Sequence, residues 1–221
     1  YRLGPNRLSQ REKNLSLQLE EGINPRTIAL AEQWTDLSAE ETVNQALKLF
    51  REKEFYYTLN PPILGKNPID DFLFNSRRGF CEHYAISFVV LMRAAGLPAR
   101  VVTGYQGGEL NPHDNFLIVR QMDAHSWAEV WLKDRGWVRV DPTAAVAPTR
   151  IERGIVEAAR AARPAPGQTK SEASNLPVAA RSKNYPWLHQ MTLRLDSIDN
   201  GWNQWVIGYN QKKQQAVLSQ I

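Results

Sequence analysis

The chain has 221 residues, 43% hydrophobic and 23% charged, with a formal net charge of +4, enough to bury a sizeable core as one domain with terminal segments or as two small ones. Its lysines and arginines are scattered without a long basic run, which argues against a nucleic-acid partner. One cysteine excludes an internal disulfide, no Cys-x-x-Cys pair marks structural zinc, and no apolar run approaches the roughly 20 residues of a membrane span. No signal-peptide pattern opens the chain, and a sequence that starts at Tyr1 is expected to be a piece of something longer.

Residues 1–24 are polar, with leucines spaced among charges, and read as an extended entry followed by a short packing segment. Asn24-Pro25 reads as a helix cap with proline at the first helical position, leading through Ile28, Leu30 and Trp34. Ser38-Ala39-Glu40-Glu41 is a stronger start signal, a serine with glutamate three residues on. The helix it opens buries Val43, Ala46, Leu47 and Phe50 and ends near Glu52 and Lys53. Phe55 to Leu59 is aromatic and strand-like until Asn60-Pro61-Pro62 stops it. Its Tyr56 and Tyr57 are core residues or, in the alternative, line a site. Ile69 to Phe74 is a short helix or turn.

The stretch from Arg78 to Arg100 is a loop feeding a buried helix, with Cys81 in the first turn. Apolar residues nearly surround the helix from Tyr84 to Ala95, Gly96 suits a left-handed cap, and Pro98 prevents continuation. Gly79 is expected to let the backbone turn sharply into the helix. At a helix N-terminus the dipole favours thiolate over thiol, although an unpaired cysteine also reads as a small buried hydrophobe. Strands follow at 100–105, 115–120, 126–132 and 137–140, the last two joined by Lys133-Asp134-Arg135-Gly136. Together they predict an antiparallel sheet stacked on the central helix, hence an α+β class.

Beyond Pro142, residues 151–162 read as a helix and 163–180 as a linker rich in Pro, Ala, Ser and Gly. Trp187, Met191, Leu193, Leu195, Ile198, Trp202 and Trp205 then recur at helical spacing, with Gly201 a weak point. This is an amphipathic helix returning to the core or, alternatively, one lying on a membrane surface, although its polar face is not rich in lysine and arginine.

A thiolate nucleophile needs a base and a group that holds the base. His125 heads the third strand and Asp141 ends the fourth, so a hairpin can make them neighbours if its register puts them on one face. His83 is two residues from Cys81 on a helix, a poor offset for a base, and His113 falls in a loop. No spacing suggests a metal site.

Gly79-x-Cys81 with Tyr84-Ala85, then Arg93-x-x-Gly96-Leu97-Pro98-Ala99-Arg100, His125-x-Trp127-x-Glu129 and Gly136-Trp137-Val138-x-Val140-Asp141-Pro142-Thr143 resemble the transglutaminase-like core superfamily over roughly residues 55 to 145. The flanks are similar to bacterial members that carry this domain between transmembrane segments. The resemblance implies a papain-like fold with a Cys81, His125, Asp141 triad that transfers glutamine acyl groups to primary amines through a thioester. The Cys81 amide and the Asn75 side chain would serve the oxyanion, and Trp127 would pack beside His125. It implies no cofactor and no metal, a protein or peptide glutamine donor with an amine acceptor, and a periplasmic domain of a bacterial inner-membrane protein. Within it, 1–54 is expected as an N-terminal helical segment, 55–148 as the catalytic core and 149–221 as linker and C-terminal helix packing on the core. A peptidase, amidase or deamidase, and a non-catalytic peptide-binding scaffold, are the alternative functions.

Overall fold

The structure, a computed structural model, describes residues 7–148 and 186–207. The helix and linker expected at 151–180 lie outside the described residues. The chain divides into two compact units, one of residues 1–107 and 120–175 and the other of 108–119 and 176–221.

The first unit begins with α1 (Gln10–Leu17), α2 (Pro25–Glu32) and α3 (Ala39–Glu52). Ser9 and Glu12 cap α1 reciprocally, as Ser38 and Glu41 cap α3, each box satisfying backbone amides that the helix itself cannot. The serine with glutamate three residues on was as readable at Ser9 as at Ser38, and it makes part of the expected extended entry helical. The cap of α2 differs from the expectation. Asn24 adopts a left-handed conformation and makes no side-chain cap to its own helix. Its Oδ1 instead accepts from the amides of Ile69 and Asp70, at 2.9 and 3.3 Å, at the start of α4 (Pro68–Asp70). Asp70 returns the bond, accepting from the amides of Arg26 and Thr27 and from the Thr27 hydroxyl. Two helix starts therefore cap each other across the fold.

Strand β1 (Tyr56–Tyr57) is shorter than the aromatic run and pairs in parallel with β2 (Arg78–Gly79). Between them, α4 runs into a π-helical turn at Asp71–Ser76, closed by the Arg77 amide on the Phe72 carbonyl at 2.9 Å, with Arg77 itself left-handed at φ 51°. The sharp turn assigned to Gly79 is thus made at Arg77. Gly79 has no positive φ, and its lack of a Cβ serves a different need, because an added carbon would lie 2.7 Å from His83 Cβ and 2.9 Å from the Phe72 ring.

Helix α5 (Cys81–Ala94) is the centre of the unit. Tyr84, Ala85, Phe88, Leu91 and Met92 on it are completely buried. Burying such a side chain contributes about 1.5 to 3 kcal/mol relative to leaving it exposed. Phe50, Phe55 and Phe72 meet Tyr84 with ring centroids 5.1 to 6.1 Å apart in mostly edge-on contacts, which tie α3, the β1 approach and the π-turn to this helix. The helix ends as its sequence predicts. Gly96 takes φ 81°, and the Gly96 and Leu97 amides bond the Arg93 and Met92 carbonyls in the paired pattern of a left-handed cap.

The sheet packed on α5 has three antiparallel strands, β3 (Ala99–Tyr105), β6 (Ala124–Leu132) and β7 (Gly136–Val140), in the order β3-β6-β7. Ala99, Ala128, Val130 and Leu132 form its buried side. The strand expected at 115–120 is not part of it. In the second unit, β4 (Glu109–Leu110) pairs with β5 (Leu117–Ile118) as a separate two-stranded ribbon, set off in sequence from β3 by Gln106-Gly107-Gly108.

The second unit also contains α6 (Pro186–Ile207), which continues through Gly201. Asn111, fully buried, donates through its amide to the Leu193 carbonyl at 2.8 Å, and His189 lies 2.7 Å from Glu109. Along this helix Leu193 is buried, whereas Trp187, Met191, Leu195 and Ile198 are exposed. Among the described residues no helix is long and apolar enough to cross a membrane.

Candidate active site

The hairpin β6–β7 resolves the question of parity. Glu129 stands opposite Arg139 and Ala128 opposite Val140, so positions 125, 127 and 129 share a face with 139 and 141. His125 and Asp141 sit diagonally across it, and Nε2 of the imidazole lies 2.7 Å from Asp141 Oδ2. Asp141 is held from its other side, Oδ1 accepting the Thr143 amide at 3.2 Å as the cap of the short 3-10 turn Pro142–Ala145. The turn that follows Asp141 therefore orients its carboxylate.

His125 is 2% exposed. Burial is the strongest influence on its ring and disfavours the charged form. The hydrogen bonds and charges of Asp141 and Cys81 together outweigh burial, so the imidazole pKa lies above its ordinary value. With Nε2 committed to Asp141, the ring's buried Nδ1 is left as the second functional atom. Trp127 stacks beside the ring, planes 23° apart and centroids 6.2 Å apart, as the sequence led us to expect.

Cys81, 8% exposed, is the first residue of α5, among the amides for which a helix offers no carbonyl partner. His83 turns back to accept the Phe80 amide on Nδ1 at 3.4 Å and packs against the Phe80 and Phe72 rings. Burial, opposed by Glu82, lowers its pKa. It caps and packs the cysteine turn, in keeping with its poor offset for a base.

The other expected residues are distributed differently. Tyr57 is 7% exposed and belongs to the hydrophobic core beside Gly79, its partner across the ladder, and Tyr56 is half-buried. Asn75 lies on the π-turn, where its amide donates to Asp71 at 3.0 Å and its carbonyl accepts from Arg26 at 3.4 Å. The bond to Asp71 uses one of the two hydrogens of the Asn75 amide. Arg139 has no motif of its own, and only the alternation that places it on the face of Asp141 could have drawn attention to it. No group of acidic, histidine and cysteine side chains among the described residues could hold a metal.

This chain belongs to the transglutaminase-like superfamily, whose family model matches residues 28–142. That match begins within the helices preceding residue 55 and so takes in more than the core read from motifs. Over 205 residues, 92% of the chain, it is 45% identical to the protein-glutamine gamma-glutamyltransferase of Pseudomonas aeruginosa, of which it spans 30%. It also resembles the crystal structure of the periplasmic domain of TgpA from Pseudomonas aeruginosa, with TM-score 0.65 and 49% identity, covering 67% of this chain and 52% of that one. A shorter match, 42% identical over 79 residues, is to the Bacillus subtilis protein YebA, covering 34% of this chain and 11% of that protein. The α+β papain-like core agrees with this membership.

Proposed function

We propose that the chain is the catalytic domain of a transglutaminase, transferring the acyl group of a protein glutamine to a primary amine, with Cys81, His125 and Asp141 as its triad. The observation that carries this reading is the His125 imidazole, bonded to Asp141 through Nε2 while Cys81 at the start of α5 acts on the same ring. The Pseudomonas relative's name supplies the substrate class.

The Cys81 thiolate adds to the carboxamide carbon of glutamine, and the oxygen of the tetrahedral intermediate is met by the amide at the helix start. Imidazolium Nδ1 gives its proton to the departing nitrogen, the C–N bond breaks, and ammonia leaves a thioester. The amine then attacks the thioester carbon, passes a proton to Nδ1 and expels the thiolate. The net reaction exchanges one amide nitrogen for another. Asp141 holds the imidazole so that Nδ1 faces sulfur, and Trp127 shields it from water. No cofactor takes part. The parent protein is membrane-anchored with this domain in the periplasm, a reading supported by the likeness to a periplasmic domain.

The test is incorporation of a labelled primary amine into a glutamine-rich protein by wild type and Cys81→Ala, with ammonia release followed in parallel. Cys81-dependent incorporation is the expected result. Ammonia without incorporation would make water the acceptor, and neither signal from a folded sample would remove the transferase assignment.

A further inference from the structure

Arg139 is half-exposed yet held at three points. Its Nη2 lies 3.2 Å from Gln106 Oε1 and 3.4 Å from Asp141 Oδ2, and its guanidinium carbon sits 4.4 Å from the centroid of the Trp127 ring. Asp141 Oδ2 is the same oxygen that meets His125, and Trp127 is the ring stacked on His125. Arg139 thus touches two of the groups that contact the imidazole. An ion pair this exposed contributes little to stability, so the effect of the arrangement falls on geometry.

We propose that Arg139 is a positioning residue for His125, its planar guanidinium clamping the Trp127 ring over the imidazole and fixing the orientation of the Asp141 carboxylate. The inference deepens the proposed function and rests on it. The flat cation lies on the indole while an edge N–H reaches the carboxylate, a combination that a lysine ammonium, a point charge on a flexible stem, does not reproduce. Gly104 completes the arrangement from the neighbouring strand. It pairs with His125, and an added Cβ there would come within 2.9 Å of the outer edge of Trp127.

The experiment combines amine incorporation with the pH dependence of iodoacetamide alkylation, which reads Cys81 alone because the chain has no other thiol. Arg139→Gln is expected to keep its melting temperature, lose roughly 10- to 100-fold in kcat and move the alkylation midpoint to higher pH, because a cation beside the triad is gone. Arg139→Lys should restore the midpoint but not kcat. Gly104→Ala, which pushes the indole without removing charge, should lower kcat at an unchanged midpoint. Wild-type kcat and midpoint in Arg139→Gln, or full recovery by lysine, would overturn the inference. His125→Ala separates the two readings: an unaltered alkylation profile there sinks the triad and this inference together. An altered profile there, beside an unaffected Arg139→Gln, sinks only the role of Arg139.

Discussion

Gly79→Ala tests whether close approach, and not backbone freedom, explains the glycine two residues before the nucleophile. The added Cβ would lie 2.7 Å from both Cβ and Cγ of His83 and 2.9 Å from Phe72 Cε2. Each distance is at least about 0.6 Å inside the ~3.5 Å at which carbon atoms begin to pack comfortably. His83 Cβ is fixed to the backbone of α5 and cannot rotate away, so the first helical turn, Cys81 included, must move. Overpacking of this kind costs about 1 to 3 kcal/mol. For a chain of this size that lowers the melting temperature by roughly 2 to 12 °C. A shift of the sulfur on the order of 1 Å lowers kcat about 100-fold. Thermal unfolding followed by circular dichroism, with steady-state amine incorporation, measures both. Gly96→Ala is the control, since its φ of 81° strains alanine while nothing lies within 4 Å of the new carbon. It should lose about 1 to 2 kcal/mol of stability with kcat intact. A Gly79→Ala protein that melts and turns over like wild type would refute the steric reasoning.

Asp141→Asn should fold and lose about 100- to 10,000-fold in kcat, because a neutral amide at Nε2 no longer supports the imidazolium; an unchanged rate would remove Asp141 from the mechanism. Asp70→Ala strips acceptors from the Arg26 and Thr27 amides and the buried Thr27 hydroxyl, and chemical denaturation should show a loss of about 2 to 4 kcal/mol. The raised pKa of His125 sets a pH dependence of stability. Its contribution is fully present below about pH 6.5, the ordinary histidine value, and is lost as pH rises through the higher folded-state value. The melting-temperature gap between wild type and Asp141→Asn should accordingly be widest near pH 6 and shrink on the alkaline side. A gap that widens with pH would reverse the assigned direction.

Much of this architecture is legible in the sequence where its cause is local. Ser38 with Glu41 and Gly96 before Pro98 act within one turn of the helices they delimit, and both do what their spacing implies. The hairpin holding His125 and Asp141 is likewise local, and its parity follows once the pairing is known. The remainder depends on distant neighbours. Gly79 is explained by the His83 and Phe72 side chains, Asn24 by a helix start more than forty residues on, and β5 by its pairing with β4 in a sheet of its own. Asn75 could be named from its position near Cys81, but its bonds to Asp71 and Arg26 could not. Arg139 was hidden for a related reason. A cation on a strand is unremarkable until the register shows what lies diagonal to it.

The exchanged caps of Asn24 and Asp70 bear on the order in which the chain assembles. The boxes of α1 and α3 close over three residues and can form while the rest is still a coil. Neither α2 nor α4 has a finished beginning until segments 43 to 46 residues apart have met. Such a loop pays its closure entropy before any contact repays it. The π-turn continues directly from α4 and leads to Cys81, so the docking of the amino-terminal helices is linked through the chain to the placement of the nucleophile. An isolated peptide spanning the cysteine helix would carry the thiol without the scaffold that aims it.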